Sequence, residues 1–384
     1  MTAGLLRCVR NRDKLHKRYK KDPNNEIKKI TYKRYRNFWN WLLKKLKREY
    51  EEKELKSAAN TNNKALWDTI RKLTHTSKLS RPAEQLISPD NPSESINYIN
   101  KFFVSVGKDL AEKAYSYGKG CISSMPKPLA SLVLDSTDES EVRNCILNLK
   151  KDKCSGRHNI SGAILKRYHQ IIVPPLTYIV NLIFSTGVFP DQLKLADIVP
   201  IFKSGDRECV NNYRPISKLP TIAKVIEKLI NKRLVHYLET KNLISSSQFG
   251  FRSGSSTNDA VHELTDHIVA KLDRKQKVIA IFLDLAKAFD TVSVPLLLNK
   301  LESLGIRGSQ LSNFQSYLKN RFQRVKVGDF VSSDLPITSG VPQGSVLGPT
   351  LFLAFINELC NLQLPNGKII SFADDTALVF SGNN

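Results

Sequence analysis

Two apolar segments that end in carboxylates are the strongest constraint on how this chain can fold. Residues 278–283 are apolar and are followed at once by Asp284, while residues 369–380 hold Asp374 and Asp375 between two apolar runs. Apolar, β-prone runs of this length predict strands, and the second segment predicts a hairpin with its acids at the turn. Each acid alone fits ordinary turn chemistry, since Asp tolerates left-handed backbone. Two strand ends that each deliver a carboxylate predict a site for a divalent cation.

Positive charge is concentrated at the start of the chain. The 384 residues carry 59 Lys and Arg against 36 Asp and Glu, a net charge of +23. Residues 1–81 hold 24 of these cations and 8 of the acids, so +16 of the excess lies in the first fifth of the chain. An excess of this size favours a polyanionic partner such as nucleic acid. The same pattern also fits a solvated face on a basic helix.

Cysteine spacing and hydropathy predict an intracellular protein. The six cysteines are widely scattered with no CxxC pair, which predicts neither a zinc site nor a disulfide framework and favours a reducing compartment. No signal peptide is visible, because Arg7 and Arg10 interrupt the apolar residues near the start. The longest apolar run, residues 171–189, is broken by prolines, Asn181 and Gly187. It predicts a buried helix and no membrane span.

The patterning predicts three regions: a basic helical arm over residues 1–81, a linker with one helix over 82–134, and a main domain over 135–384. In the arm, apolar residues at spacings of three to five predict a long amphipathic helix over 26–56. A second, shorter helix is predicted over 64–73. Trp and Tyr beside Lys on these helices could stack on bases, although aromatic residues at helical spacing also fit a core.

Further helix signals follow the arm. Apolar residues on one face predict a helix over residues 94–110. Ser136 or Thr137 is the predicted N-cap of the next helix, since both hydroxyls can accept from the first helical amides. A buried helix is predicted over residues 176–184.

A basic hairpin is predicted from residues 196–206 and 211–217, which are two extended pieces joined by a turn. Its notable cations are Lys203 and Arg214. Triphosphate binding uses such groups, because Lys is a point charge and Arg can hold two phosphate oxygens. One Lys and one Arg on a loop fit surface solvation equally, so the choice stays open at this point.

Six short motifs follow one another along the main domain. They are Ile198-Val199-Pro200-Ile201-Phe202-Lys203, Asn212-Tyr213-Arg214-Pro215-Ile216-Ser217, Gln248-Phe249-Gly250-Phe251-Arg252, residues 284–290, Gly340-Val341-Pro342-Gln343-Gly344-Ser345 and Phe372-Ala373-Asp374-Asp375. In this order they resemble the reverse transcriptase of non-LTR (LINE-type) retrotransposons, and most of all its jockey-like group. The resemblance covers roughly residues 135–384, and the first 130 residues resemble the connector that precedes this domain.

The resemblance implies an α+β fold: a right-hand polymerase with fingers and a partial palm, in which an antiparallel sheet is backed by helices. Asp284, Asp374 and Asp375 match the catalytic carboxylates of the family. Two Mg²⁺ ions are implied as cofactors, for which Mn²⁺ can substitute, because in-line attack on an α-phosphate uses one ion at the nucleophile and one at the leaving group.

Other motif residues match contacts to the incoming nucleotide. Lys203 and Arg214 match residues that contact the triphosphate. Phe289 matches the residue that crowds a 2′-hydroxyl and so favours deoxynucleotides by shape. Gln343 and Gly344 match the loop beside the nascent base pair, where glycine lets backbone come close to the nucleotide.

Other basic residues are expected to contact nucleic acid. These are Arg252 and four cations of the arm, Lys44, Lys45, Lys47 and Arg48. A cap or structural role is expected of Asp290, because it follows Phe289 where the strand passes into a turn or helix.

The expected function is RNA-directed DNA polymerase, which copies an RNA template into cDNA. The implied partners are template RNA, a DNA primer and deoxynucleoside triphosphates, with no membrane and no small-molecule cofactor. The nucleus is the expected location at integration, with the cytoplasm as an alternative. Two other functions stay open: a non-catalytic nucleic-acid-binding remnant of such an element, and a splicing maturase with a similar fold.

Three features depart from the family pattern. His158 stands where the family commonly has an acid, and Phe372 stands where many polymerases have Tyr. The chain stops at Asn384, soon after Asp375, so a piece of a longer reading frame without the thumb is expected. Such a piece is expected to bind RNA but to extend a primer poorly or not at all, because the thumb would hold the primer end at the site.

Overall fold

A computed structural model describes residues 3–61, 63–74, 82–117, 128–149, 156 and 160–383. Sequence features outside these ranges, including the departure at His158, lie beyond the described residues. The chain divides into two compact units, Met1–Arg81 and Pro82–Asn384. None of the described helices combines the length and apolar character that crossing a membrane requires.

The described residues of the N-terminal unit form three helices: α1 (Ala3–Lys21), α2 (Glu26–Ala59) and α3 (Asn63–Leu73). The predicted helices over 26–56 and 64–73 are therefore confirmed, whereas α1 was not predicted. Asn25 caps α2, since its side-chain oxygen accepts from the amide of Lys28 at 3.2 Å. The rings of His16 and Tyr19 on α1 stack on Tyr32 of α2, with centroids 4.8 and 5.8 Å apart.

The larger unit contains nine further α-helices, three short 3-10 helices and eight strands among its described residues. The helices are α4 (Pro92–Tyr117), α5 (Glu139–Leu147), α6 (Gly162–Arg167), α7 (His169–Thr186), α8 (Thr221–Thr240), α9 (Thr257–Asp273), α10 (Val294–Ser303), α11 (Gly308–Leu318) and α12 (Gly348–Cys360). The strands are β1 (Ala196–Phe202), β2 (Tyr213–Lys218), β3 (Lys277–Leu283), β4 (Arg321–Val327), β5 (Phe330–Val331), β6 (Leu335–Ile337), β7 (Gly367–Phe372) and β8 (Asp375–Gly382). The chain thus mixes helices and sheets, as the sequence predicts.

The strands form two sheets. The first has the order β2-β1-β4-β5 with β6 also paired to β4, and its β1–β4 pair is parallel. The second has the order β3-β8-β7 and is antiparallel throughout. The predicted antiparallel sheet is therefore the second one, and the parallel pair in the first sheet is a feature that the sequence did not predict.

Two apolar clusters hold the larger unit together. The main cluster joins the buried faces of helices α5, α7, α8 and α10–α12, with Ile146, Val180, Leu229, Phe314 and Phe352 among its members. The predicted buried helix lies inside α7 and ends at Gly187, whose φ of +70° is the left-handed C-cap conformation that glycine adopts freely. The second cluster lies between α4 and the first sheet.

Residues 82–134 were predicted as a linker with one helix, and the helix predicted over 94–110 is confirmed as α4. Ile96, Ile99 and Phe103 of α4 are buried in the second apolar cluster. Asn100 is also fully buried, and its amide donates to the carbonyl of Ser333 at 2.8 Å. An amphipathic helix buries its apolar face on the nearest sheet, so this stretch belongs to the same compact unit as the main domain.

The predicted N-cap of α5 is wrong by one or two residues. Asp138 is the N-cap, since its carboxylate accepts from the amide of Glu141 at 2.7 Å. Thr137, one of the two predicted caps, donates its hydroxyl to the Glu141 carboxylate instead. A carboxylate is the stronger partner for helix-start amides, because it carries negative charge toward the positive end of the helix.

Candidate active site

The hairpin of β7 and β8 carries Asp374. Phe372 pairs with Asp375, so Ala373 and Asp374 form a two-residue turn between the strands. The left-handed residue of this turn is Ala373, with a φ of +57°, and not one of the acids. An alanine in this conformation is strained by roughly 1 kcal/mol, so surrounding contacts must hold the turn.

Gln248 provides those contacts. Its side-chain oxygen accepts from the amides of Ala373 at 2.8 Å and Gly250 at 2.7 Å, and its amide donates to the carbonyl of Ala373 at 3.2 Å. Gly250 permits this approach, because a Cβ there would lie 2.1 Å from the Ala373 nitrogen. Gln248 is 2% exposed, so these hydrogen bonds are shielded from water. Gln248 and Gly250, which belong to the motif at residues 248–252, therefore position the turn that carries Asp374.

Asp284 reaches the same place from the neighbouring strand. β3 pairs with β8 in antiparallel register up to Leu283 opposite Thr376, and Asp284 follows directly. Asp284 and Asp374 line one cleft of about 630 Å³. The prediction that these two acids end adjacent antiparallel strands is thus consistent with the strand register. Asp375 is the first residue of β8, is exposed and does not line the cleft.

The basic hairpin contributes cations to this cleft. β1 and β2 pair with Ile201 opposite Arg214, and the amide of Lys203 donates to the carbonyl of Asn212 at 2.9 Å. Lys203 and Arg214 are exposed and both line the cleft that contains the acids. Cations and carboxylates therefore share one cleft. Cations that were exposed only for solvation would not need to lie beside the acids.

Phe289 lies in the cleft between two other aromatic rings. Its ring stacks on Phe352 of α12, with centroids 4.7 Å apart and planes 16° apart. Phe251 meets it edge to face, with centroids 6.1 Å apart. Contacts on two sides fix the ring, so a shape-selective role for Phe289 has a rigid support.

The loop of Gln343 and Gly344 forms another part of the cleft wall. The amide of Ser217 in β2 donates to the carbonyl of Gln343 at 2.7 Å. Gly344 has a φ of +103°, and a Cβ there would lie 3.0 Å from the Ser217 carbonyl oxygen. A side chain at residue 344 is therefore disfavoured both by the backbone conformation and by the neighbouring strand.

The donor set fits a hard divalent cation bound together with a substrate. Within the described residues, no three His, Cys, Asp or Glu side chains are grouped closely enough to hold a metal. Magnesium sites commonly use only one or two carboxylates and take their other oxygens from substrate phosphates and water. Asp284 and Asp374 in a cleft that also holds Lys203 and Arg214 fit that pattern.

Three cleft residues carry chemistry that the sequence did not predict. Lys287 and Phe251 line the cleft, as does Asp290, for which a cap or structural role was expected. Burial lowers the pKa of the Lys287 ammonium below its ordinary value, and the charge of Asp290 offsets this only in part. Lys287 and Asp290 belong to the motif at 284–290. Their place in that motif is the sequence feature that could have pointed to them as cleft residues.

Arg252, which was predicted to contact nucleic acid, is hydrogen-bonded within the protein. Its guanidinium donates to both carboxylate oxygens of Glu239, at 3.0 and 2.6 Å. It also donates to the carbonyls of Ser245 and Gln248, at 3.0 and 3.3 Å. A partly buried Arg with four hydrogen bonds to internal acceptors fixes the segment before Gln248, because most of its donors are already used.

The predicted cations of the arm belong to the N-terminal unit. Lys44, Lys45, Lys47 and Arg48 are all exposed on α2. Two of them have partners one helical turn away, since Lys47 and Arg48 pair with Glu51 and Glu52 at 3.7 and 3.1 Å. Exposed pairs of this kind are weak, so these cations stay accessible to a polyanion.

Comparison with known proteins identifies the class. A family profile described as reverse transcriptase (RNA-dependent DNA polymerase) matches residues 201–384. The match begins inside β1 and includes every strand of the antiparallel sheet and every residue of the cleft described above. Residues 201–384 therefore belong to the reverse transcriptase family.

Individual relatives show which group of reverse transcriptases this chain resembles. The chain is 35% identical over 270 residues to the probable RNA-directed DNA polymerase from transposon BS of Drosophila melanogaster, covering 68% of this chain and 30% of the relative. It is 33% identical over 256 residues to the RNA-directed DNA polymerase from mobile element jockey of the same species, covering 65% and 28%. A jockey relative from Drosophila funebris is 28% identical over 99% of this chain and 42% of its own length. The predicted similarity to jockey-like reverse transcriptases is confirmed, and the chain spans less than half of these relatives.

Proposed function

We propose that this chain supplies the nucleotide-adding centre of an RNA-directed DNA polymerase that copies RNA into cDNA. The observation that carries the proposal is the shared cleft, in which Asp284 and Asp374 face the same space as Lys203 and Arg214. Template RNA, a DNA primer and deoxynucleoside triphosphates are the proposed partners. The nucleus is the proposed place of action at integration, with the cytoplasm as the alternative.

The carboxylates are proposed to hold the divalent cations. Asp284 and Asp374 are the principal ligands, and Asp375 supports the same end of the sheet from its exposed position in β8. Mg²⁺ suits these oxygen donors, and Mn²⁺ can substitute for it. When bound, such ions activate the attacking hydroxyl and stabilise the charge on the leaving pyrophosphate.

The other cleft residues are proposed to bind and orient the nucleotide. Lys203 offers a point charge to the triphosphate, and Arg214 offers a planar fork that can contact two phosphate oxygens. Phe289 crowds the 2′ position of the sugar from its fixed place against Phe352. Gln343 and Gly344 bring a side-chain amide and an unobstructed backbone toward the base pair.

The sheets are proposed to divide between palm and fingers. The antiparallel sheet β3-β8-β7, which delivers the acids, takes the place of the palm. The hairpin of β1 and β2, which delivers Lys203 and Arg214, belongs to the fingers. This division follows the chemistry, because the palm of a polymerase holds the metal ligands and the fingers hold the incoming triphosphate.

The N-terminal unit is proposed to bind RNA or DNA with little sequence preference. Its 24 Lys and Arg against 8 Asp and Glu in residues 1–81 support binding through phosphates. Exposed Phe38 and Trp41 lie on the same helix as Lys44 and Lys45 and offer apolar surface beside the charges.

A single-nucleotide addition assay tests the polymerase proposal. The protein is given an RNA template with an annealed DNA primer, one deoxynucleotide and Mg²⁺, and Asp284→Asn is the matched variant because it keeps the side-chain shape. Addition that depends on Mg²⁺ and is lost in Asp284→Asn supports the polymerase. Equal addition by Asp284→Asn, or RNA binding with no Mg²⁺-dependent binding of the deoxynucleotide, favours the alternative, a remnant that only binds nucleic acid.

A further inference from the structure

Asp290 lies in the wall between two spaces. It lines the cleft that holds Asp284 and Asp374, and it also lines a second, smaller cavity of about 30 Å³ behind that wall. Gln343 lines both spaces as well. Helix α4 closes the cavity from behind, since a Cβ on Gly107 would lie 2.1 Å from the Asp290 carbonyl oxygen. Asp290 is therefore held in place by close backbone packing.

The side chains of Asp290 and Gln343 are hydrogen-bonded to each other. Nε2 of Gln343 donates to Oδ2 of Asp290 at 2.9 Å. The two loops are also joined through their backbones, because the amide of Val341 donates to the carbonyl of Phe289 at 2.9 Å and that of Gly340 to Val292 at 2.7 Å. The backbone contacts fix where the loops lie, and the side-chain contact fixes which way the Gln343 amide faces.

A buried arginine shares the smaller cavity. Arg321 of β4 is 2% exposed, and its Nη1 donates to the carbonyl of Tyr317 at 3.0 Å. Within the described part of the chain, no protein acceptor lies within hydrogen-bonding distance of its Nε or Nη2. A cavity of about 30 Å³ has room for about two water molecules, which can join such donors to a carboxylate on the same wall. The charge of Arg321 acts to lower the pKa of the buried Glu227, against the effect of burial, whereas Gln343 and Lys287 are the groups that lower the pKa of Asp290.

We propose that Asp290 is a positioning residue for the nucleotide site: its carboxylate fixes the Gln343 amide so that Nε2 faces the wall and Oε1 is left as an acceptor for the nucleotide. This inference rests on the proposed function, in which Gln343 contacts the incoming nucleotide. It gives Asp290 a role that differs from metal binding, because its partner is an amide donor. Asp290 acts only through Gln343.

The charge of Asp290 decides the orientation of the amide. An ionised carboxylate only accepts, so it selects Nε2 of Gln343, whereas a protonated acid can also donate to Oε1 and permits the opposite orientation. Burial raises the pKa of Asp290 to about 6, while Gln343 and Lys287 act in the other direction. The charged groups around it are Lys287 on its own loop, Arg321 across the small cavity, and the cleft residues Lys203, Arg214, Asp284 and Asp374.

A double-mutant cycle tests whether Asp290 acts through Gln343. The measured quantity is the affinity of the full 384-residue protein for a fluorescent deoxynucleotide in the presence of Mg²⁺. Asp290→Ala and Gln343→Ala are each expected to weaken binding roughly tenfold, and the double variant no further than either alone. Asp290→Asn should weaken binding less than Asp290→Ala, because its side-chain oxygen can still accept from Nε2 although its amide also permits the opposite orientation. Losses that multiply in the double variant would overturn the proposal.

The orientation itself is measured by NMR. Selective ¹⁵N-glutamine labelling gives the side-chain amide resonances of Gln343, identified by their loss in Gln343→Ala. These resonances should shift with pH around 6 in the parent protein and stay flat in Asp290→Asn, while Asp329→Ala, an exposed acid in the β4–β5 turn, should titrate like the parent. The same titration in Asp290→Asn, or none in the parent, would refute the contact. A parent protein that binds no nucleotide counts against the proposed function, and the NMR titration still decides on Asp290.

Discussion

In the N-terminal unit Lys44 and Lys45 lie exposed on a helix, whereas in the larger unit Lys203 and Arg214 share a cleft with carboxylates. Lys44 and Lys45 lie on one exposed helix with many rotamers open to them. Lys203 and Arg214 extend from paired strands whose register is set by backbone hydrogen bonds. Charge without fixed geometry gives affinity for any polyanion, while charge at fixed positions can select one phosphate group and one reaction.

The supporting structure differs in the same way. Trp39 and Ala58 are the residues of α2 that are buried. The cleft is supported by apolar clusters, by the Gln248 contacts to Ala373 and by the aromatic rings around Phe289. A polyelectrolyte surface needs only a stable helix, but a catalytic site needs its groups held within a fraction of an ångström, and that requires a packed core.

The largest expected effect distinguishes Asp374, in the hairpin turn, from Asp375 at the start of β8. Asp374→Ala should lower nucleotide addition about 10³-fold or more, because a cation held by this ligand contributes several kcal/mol to the reaction. Asp375→Ala should cost clearly less, since Asp375 lies outside the cleft. Both variants are compared by single-turnover addition. RNA affinity should be unchanged in both, and a loss of RNA binding in Asp374→Ala would break the distinction between the two units.

The second-largest effect is expected in RNA binding by the N-terminal unit, the arm of residues 1–81. Four neutral substitutions remove exposed cations from α2: Lys44→Gln, Lys45→Gln, Lys47→Gln and Arg48→Gln. RNA affinity at low salt should fall roughly 100-fold, and the slope of log affinity against log salt should become shallower by about 3, because fewer counterions are released.

The matched control removes four exposed cations from the larger unit. These are Lys108, Lys241, Arg274 and Lys277. The control should change RNA affinity and the salt slope much less than the arm variant. Equal losses in the two variants would show that net charge alone governs binding and that the arm has no special part in it.

The third effect tests shape selection in the cleft. Phe289→Val should raise the use of ribonucleotides relative to deoxynucleotides roughly 30-fold, because a smaller side chain leaves room for the 2′-hydroxyl. The measurement is the ratio of kcat/KM for the two nucleotides. Phe251→Val removes one contact to the Phe289 ring but leaves the ring in place, so it should change the ratio much less. If the ratio were unchanged in Phe289→Val, another part of the protein would exclude ribonucleotides.

The smallest effect compares ion pairs in the two units. Burial alone would raise the pKa of Glu141, but hydrogen bonds from Arg233, Lys232 and Thr137 outweigh it and lower the pKa to about 2. A lowered pKa stabilises the fold above the ordinary value of 4.5, and this contribution is lost as the pH falls toward 2. Glu141→Gln should therefore cost about 2 kcal/mol at pH 7, after allowance for solvent screening, and much less near pH 2.

Chemical unfolding at several pH values measures this difference. Glu52→Gln is the control, because its pair with Arg48 in the N-terminal unit, at 3.1 Å, is exposed on both sides. It should change the free energy of unfolding by less than about 0.5 kcal/mol at any pH. A loss as large as that in Glu141→Gln would show that exposed helix pairs are as strong as the partly buried cluster.

Local patterns in the sequence determined much of this protein. Apolar periodicity predicted α2, α3 and the buried helix in α7, and β-prone runs ending in acids predicted the strands that carry Asp284 and Asp374. The motif order predicted the family that the profile and the relatives then showed. Such features are local, because helix period, strand alternation and turn residues depend on neighbours a few positions away.

The tertiary structure alone decided how distant segments meet. It placed α4 on the first sheet, gave the left-handed position of the turn to Ala373, and used Arg252 to clamp Glu239. It also joined Asp290 to Gln343, which lies 53 positions further along the chain. A side chain's partner across such a separation depends on how whole elements pack, so no local pattern in the sequence encodes it.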